Sequence, residues 1–86
     1  MNGPDANGPD ANELELDCRG MLCPRPIIEL AKHVVDVPVG GVIAVASDDV
    51  AAATDVPAWC RMRAQEYLGQ QEAADGVPVY RVRRLS

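Results

Sequence analysis

Three cysteines and a single histidine are the side chains of this 86-residue sequence best suited to nucleophilic, redox or metal chemistry. Cys23 has the most distinctive setting. It lies in the run Leu16-Asp17-Cys18-Arg19-Gly20-Met21-Leu22-Cys23-Pro24-Arg25-Pro26, between a glycine that permits a tight turn and two prolines that stiffen one. With Cys23 at the N-cap of a helix, Pro24 falls at N1, where its fixed φ suits the helix and its missing N–H leaves nothing unsatisfied. Pro26 then falls at N3, so the N–H of Arg25 is the donor left for the sulfur. The helix start and the nearby Arg19 and Arg25 favour a thiolate, and the expected pKa lies below the ~8.5 of a free thiol. A thiolate held outward by a stiff turn is a nucleophile that another protein can reach.

The remaining candidates read more plainly. Cys18 stands five residues before Cys23, a spacing open to a disulfide or a resolving thiol, but it continues the face of Leu14 and Leu16 and reads as a core thiol. Cys60 shares a helix face with Val56 and Trp59 and reads the same way. His33 projects with Glu29 and Asp36, and three scattered cysteines add no zinc spacing, so no metal site is expected. Gly40-Gly41 leads into a strand, which is the wrong context for a phosphate loop. Asp48 and Asp49 fit helix capping better than paired-carboxylate catalysis. Arg81, Arg83 and Arg84 form either a solvated strand end or a docking patch.

Six elements position these residues. Leu14, Leu16 and Cys18 alternate with Glu13, Glu15 and Asp17, the period of a half-buried strand. From Pro24 to about Val37, the residues Ile27, Leu30, Ala31, Val34 and Val35 make one apolar helix face, with Glu29, Lys32, His33 and Asp36 toward water. Pro38 and Gly40-Gly41 end that helix. Val42–Ala46 is an apolar run of interior-strand type. Thr54 or Asp55 caps a second helix with Pro57 in its first turn, and Val56, Trp59, Cys60 and Arg63 share a face. Two strands near Glu66–Ala73 and Val77–Leu85 are joined through the hairpin signal Asp75-Gly76. The order β-α-β-α-β-β predicts an α/β (α+β) two-layer sandwich, a mixed four-stranded sheet with both helices on one face.

Length and composition bound the function. One small domain buries only roughly 60% of its unfolded surface, so its core is too thin to enclose a substrate. Aromatics are 3% of the chain, and Val, Ile, Leu and Ala must therefore build the core. A net charge of −5 disfavours direct contact with nucleic acid or an anionic membrane. Arg25, Arg61 and Arg63 are nonetheless expected to serve as a local basic surface for a protein partner. No membrane span or cleavable leader is legible, and an odd cysteine count suits a reducing cytoplasm. Residues 2–6 and 7–11 repeat Asn-Gly-Pro-Asp-Ala, so positions 1–12 read as a disordered tail and 13–86 as the folded domain.

The pattern Leu16-Asp17-x-x-Gly20-x-x-Cys23-Pro24-x-Pro26, followed by Ala46-Ser47-Asp48-Asp49 and Thr54-Asp55-Val56-Pro57-Ala58-Trp59-Cys60, resembles the TusA/SirA-like sulfur-carrier family over about Glu13–Leu85. The resemblance implies a sulfurtransferase whose Cys23 accepts sulfane sulfur as a persulfide, with Asp17 and Arg19 in support and Gly20, Pro24 and Pro26 shaping the turn. It implies a cysteine desulfurase or rhodanese-like donor, an acceptor sulfurtransferase and no cofactor, with the carrier itself a monomer. tRNA thiolation, molybdenum-cofactor assembly and sulfur oxidation are the pathways it opens. In the tRNA-thiolation branch an acidic residue commonly separates the two prolines; Arg25 stands there in this chain. The alternatives from other classes are a regulatory interaction module and a Cys18–Cys23 redox protein.

Overall fold

Strand and helix periodicities place one layer of helices against one face of a sheet. In the computed structural model, which describes residues 13–86, β1 (Glu13–Asp17) alternates as expected, with Leu14 and Leu16 packed toward the core. The repeated Asn-Gly-Pro-Asp-Ala segment lies outside the described residues. The chain continues through α1 (Arg25–His33), β2 (Val42–Ala46), α2 (Ala52–Arg63), β3 (Glu66–Glu72) and β4 (Pro78–Arg83). The sheet order is β1-β2-β4-β3, with β1 parallel to β2 and the other pairings antiparallel. This is the expected mixed four-stranded sheet.

Inward residues of the sheet, including Ile43, Val45, Tyr80 and Val82, meet Leu30 and Val34 from the first helical segment and Ala52, Val56, Trp59 and Cys60 from α2. Aliphatic burial dominates, at about 1.5–3 kcal/mol for each fully buried large side chain. Glu13, Glu15, Asp17, Ala44, Ala46, Val79 and Arg81 line a hollow on the opposite, uncovered face. The period-two alternation thus separates the two faces residue by residue.

The helices depart from the sequence reading at their ends. The first becomes a 3-10 turn at Val34–Asp36 rather than remaining α-helical to Val37. Tightening from 3.6 to about 3 residues per turn rotates the apolar stripe. Val37 is therefore buried with Val34, while Val35 faces solvent; Ala31, within the α-helical part, is exposed as well. The second helix starts earlier than Thr54 or Asp55, because Asp49 opens it: its Oδ1 accepts from the Ala51 N–H at 3.0 Å and its carbonyl accepts from Ala52 at 3.0 Å. Pro57 therefore sits inside the helix rather than in its first turn, and Arg63 is exposed rather than aligned with the buried face. The hairpin forms where expected, with Gly76 at φ +85°, a value glycine adopts without a Cβ penalty. No helix of the described residues is long and apolar enough to cross a membrane.

Candidate functional site

Two loops meet at the carboxyl ends of the parallel strands β1 and β2, the end of an α/β unit where sites usually form. The first loop carries Cys23 and is pinned by the second. Cys18 extends the β1 pairing by donating its N–H to the Ala46 carbonyl at 2.8 Å. Gly20, at φ +78°, turns the chain and donates its N–H to the Asp48 carboxylate at 3.1 Å. The Cys23 N–H donates to Asp49 Oδ2 at 2.7 Å, and the Asp49 N–H in turn donates to the buried Ser47 Oγ at 3.3 Å. Asp49 thus performs two tasks at once: it opens α2 and holds the backbone of Cys23.

The cap of α1 lies one residue later than the sequence suggests. Pro24 is the N-cap, Arg25 is N1 and Pro26 is N2, and no side chain caps the helix. The Cys23–Pro24 peptide is cis. The N–H of Arg25 donates to the Leu22 carbonyl at 2.9 Å, so the sulfur does not receive it. One of the two arginines expected to stabilise a thiolate is also redirected. Arg19 binds Asp75 through Nε at 2.9 Å and Nη2 at 3.1 Å, and Asp17 through Nη1 at 3.0 Å. That fork joins the end of β1 to the β3–β4 turn and holds the Asp17 and Asp75 carboxyls below their ordinary range. Arg25 is exposed at the start of α1.

The charges facing the Cys23 sulfur are acidic instead. Burial first, then hydrogen bonding and repulsion from Asp55 and Asp49, push its thiol up to about 11. The lowered thiol pKa expected from the helix start and two arginines is therefore overturned: the free protein holds Cys23 protonated at neutral pH. Sequence reasoning had both aspartates in view, Asp49 as a cap with Asp48 and Asp55 as the cap of α2. What it missed is that α2 starts at Ala52, which turns Asp55 from a cap into an inward-facing neighbour of the thiol.

Beside Cys23, a groove of about 250 Å³ runs between the helices, lined by Pro24, Ile27, Asp55, Ala58, Trp59 and Met62. The buried Trp59 contributes an indole whose Nε1 finds no hydrogen-bond partner among the described residues. Leu22, Val50 and Met62 expose 75%, 88% and 77% of their surface, an apolar rim next to the polar Cys23 loop. A larger hollow of about 430 Å³ lies on the uncovered sheet face, and no cysteine lines it.

The other expected groups fall into place around this centre. Cys18 and Cys60 are core thiols at 1% and 2% exposure, as their faces predicted, and all three cysteines are free. Arg61 and Arg63 are exposed but stand roughly 9–12 Å beyond Asp55 along α2, by the 1.5 Å rise per residue, away from the thiol. Arg81 pairs with Glu13 at 3.5 Å and Arg83 with Glu66 at 3.2 Å, while Arg84 donates to the Val37 carbonyl at 2.7 Å. The three C-terminal arginines therefore brace the fold rather than form a free cationic patch. His33 is held by Asp36 at 2.7 Å and Glu29 at 3.5 Å, and no group of residues suited to a metal ion occurs among the described residues.

Comparison with known proteins identifies the family. A family profile described as "Sulfurtransferase TusA" matches residues 14–84. The chain is 38% identical over 73 residues to the "Sulfur carrier protein TusA" of Pseudomonas entomophila, covering 85% of this chain and 90% of that one. It is 37% identical over 71 residues to the protein of the same name from Pseudomonas fluorescens, covering 83% and 84%. The crystal structure of a SirA-like protein from Desulfitobacterium hafniense superposes with a TM-score of 0.72, covering 85% of this chain and 99% of the other; at 20% identity it speaks to the fold.

Proposed function

The chain belongs to the TusA sulfurtransferase family, and from that premise we propose that it performs its sulfur-carrier role through a persulfide on Cys23. The observation that carries the assignment is exposure: Cys23 is the one cysteine that solvent reaches, whereas Cys18 and Cys60 are sealed in the core. A carrier with no enclosed cavity must work at its surface, and Cys23 stands on a loop at the edge of an apolar groove.

The cycle has two exchanges. In loading, the Cys23 thiolate attacks the terminal sulfur of a persulfide on a cysteine desulfurase or rhodanese-like donor. A new S–S bond forms at Cys23, the donor's S–S bond breaks, and its electron pair leaves with the donor thiolate, which takes up the proton Cys23 lost. In unloading, an acceptor thiolate attacks the terminal sulfur of the Cys23 persulfide and Cys23 departs as thiolate. Sulfane sulfur moves without net oxidation, so no cofactor is required. The acceptor belongs to tRNA thiolation, molybdenum-cofactor assembly or sulfur oxidation, and the exchange takes place in the cytoplasm. Asp17 and Arg19 support the site at a distance, by bracing the end of β1 from which the Cys23 loop departs.

Mass spectrometry after incubation with a cysteine desulfurase and L-cysteine tests the reading. A gain of one sulfur mass mapped to Cys23 is expected. Loss of two hydrogen atoms across Cys18 and Cys23 would identify a redox protein instead, and an unchanged mass would leave an interaction module.

A further inference from the structure

We propose that the groove between α1 and α2 seats an apolar side chain of the protein that donates sulfur to Cys23, and that a lysine or arginine beside that side chain pairs with Asp55 and Asp49. This inference rests on the carrier reading and adds to it the chemistry of the partner and the control of the thiol. Its first ground is shape. Pro24, Ile27, Ala58, Trp59 and Met62 give the groove apolar walls directly beside the reacting sulfur, and about 250 Å³ is far more than the ~30 Å³ of a single water.

Its second ground is charge. Asp55 lines the same groove, and Asp49 stands at the Cys23 backbone. Among the described residues neither carboxylate has a lysine, arginine or histidine partner, whereas Asp17 and Asp75 nearby are both paired with Arg19. Any protein that reaches Cys23 must cover Asp55 and take it from water. Desolvating an unpaired carboxylate is costly, so the partner that fits supplies a cation.

The same contact governs reactivity. Facing the Cys23 thiol are Asp49 from the loop before α2, Asp55 from α2 and, from β4 beneath, the Tyr80 phenol, whose own ionisation feels the charge of Cys23. Arg25, at the start of α1, is exposed. Pairing the two carboxylates removes the part of the upward push that comes from charge rather than burial, and the thiol proton then leaves more readily as the partner docks. Docking and activation become one event, and the undocked carrier keeps a protonated, slowly reacting thiol.

Two variants and three reagents test this. Asp55→Asn should raise the rate at which iodoacetamide alkylates Cys23 in the free chain by about tenfold at pH 8, the gain from a fall of one unit in thiol pKa. With a subsaturating cysteine desulfurase and L-cysteine, the same variant should load more slowly than wild type and depend less on salt. Met62→Gln should reduce loading by the desulfurase about fourfold more than it reduces loading by inorganic polysulfide, which needs no groove. Unchanged alkylation in Asp55→Asn, undiminished desulfurase loading, or equal effects of Met62→Gln on both donors would overturn the proposal. So would a wild-type chain that takes sulfur from polysulfide and not from the desulfurase. A wild-type Cys23 that accepts sulfur from neither would instead sink the carrier reading itself.

Discussion

The surroundings of Cys23 and Cys60 reach the same thiol pKa by different physical routes. Both groups are pushed up to about 11. At Cys60 the cause is burial in the core between α2 and the sheet, partly offset by the charge of Arg61. No partner can undo that short of unfolding the domain, and the thiol behaves as a small apolar side chain. At Cys23 burial is joined by two carboxylates on neighbouring, solvent-accessible elements, and those charges can be neutralised from outside. A reactive cysteine need not be activated in the free protein. Here, what separates it from a structural one is that part of what suppresses it, the charge of Asp55 and Asp49, can be neutralised from outside.

The most drastic break of the comparison is Cys23→Ser. It should abolish sulfur loading completely while moving stability by no more than ~0.5 kcal/mol, as for a surface change. Loading is read by mass spectrometry and stability by urea denaturation; retained loading would transfer the role to another cysteine. Cys60→Ser should do the converse. A hydroxyl in that apolar setting finds no partner, and about 1–3 kcal/mol of stability should be lost with loading intact. A neutral effect on stability would show that the core around α2 relaxes or admits water.

Alkaline titration sharpens the contrast next. A thiol whose folded pKa is raised contributes stability that is fully present below its unfolded value near 9.0 and is lost as pH rises toward about 11. Denaturation midpoints should therefore fall across that window in wild type. Cys60→Ala should flatten the fall more than Cys23→Ser does, because solvent screens the rim site. An equal flattening would mean that the two environments are equally dry. The smallest effect is expected from Arg19→Gln. Its ion pairs with Asp17 and Asp75 are exposed, so the cost should stay below ~1 kcal/mol, and the alkylation midpoint of Cys23 should not move. A rise in that midpoint would mean that Arg19 reaches the thiol after all.

Much of this architecture was legible in the chain. The alternation of Glu13 to Asp17 placed β1, the apolar run Val42–Ala46 placed β2, and Asp75-Gly76 placed the last hairpin, because strand periodicity and turn chemistry are local properties. Gly20, Cys23, Pro24 and Pro26 likewise marked the turn between β1 and α1 by their types and spacing. Helix ends were less legible. The 3-10 turn at Val34–Asp36 and the early start of α2 depend on packing and on a hydrogen bond from the Ala51 N–H to Asp49, neither of which is a periodic signal.

The sequence by itself determined the elements, the strand faces and which cysteine stands outside the core, since each follows from neighbours within a few positions. Only the tertiary structure decided the electrostatics of the site. Arg19 is four residues from Cys23, but it turns to Asp75, 56 residues away; Asp49 and Asp55, 26 and 32 residues away, turn to the thiol. Charge acts through space and falls with distance between atoms, not with distance along the chain. Which charges face the sulfur is set by how the loops after β1 and β2 meet.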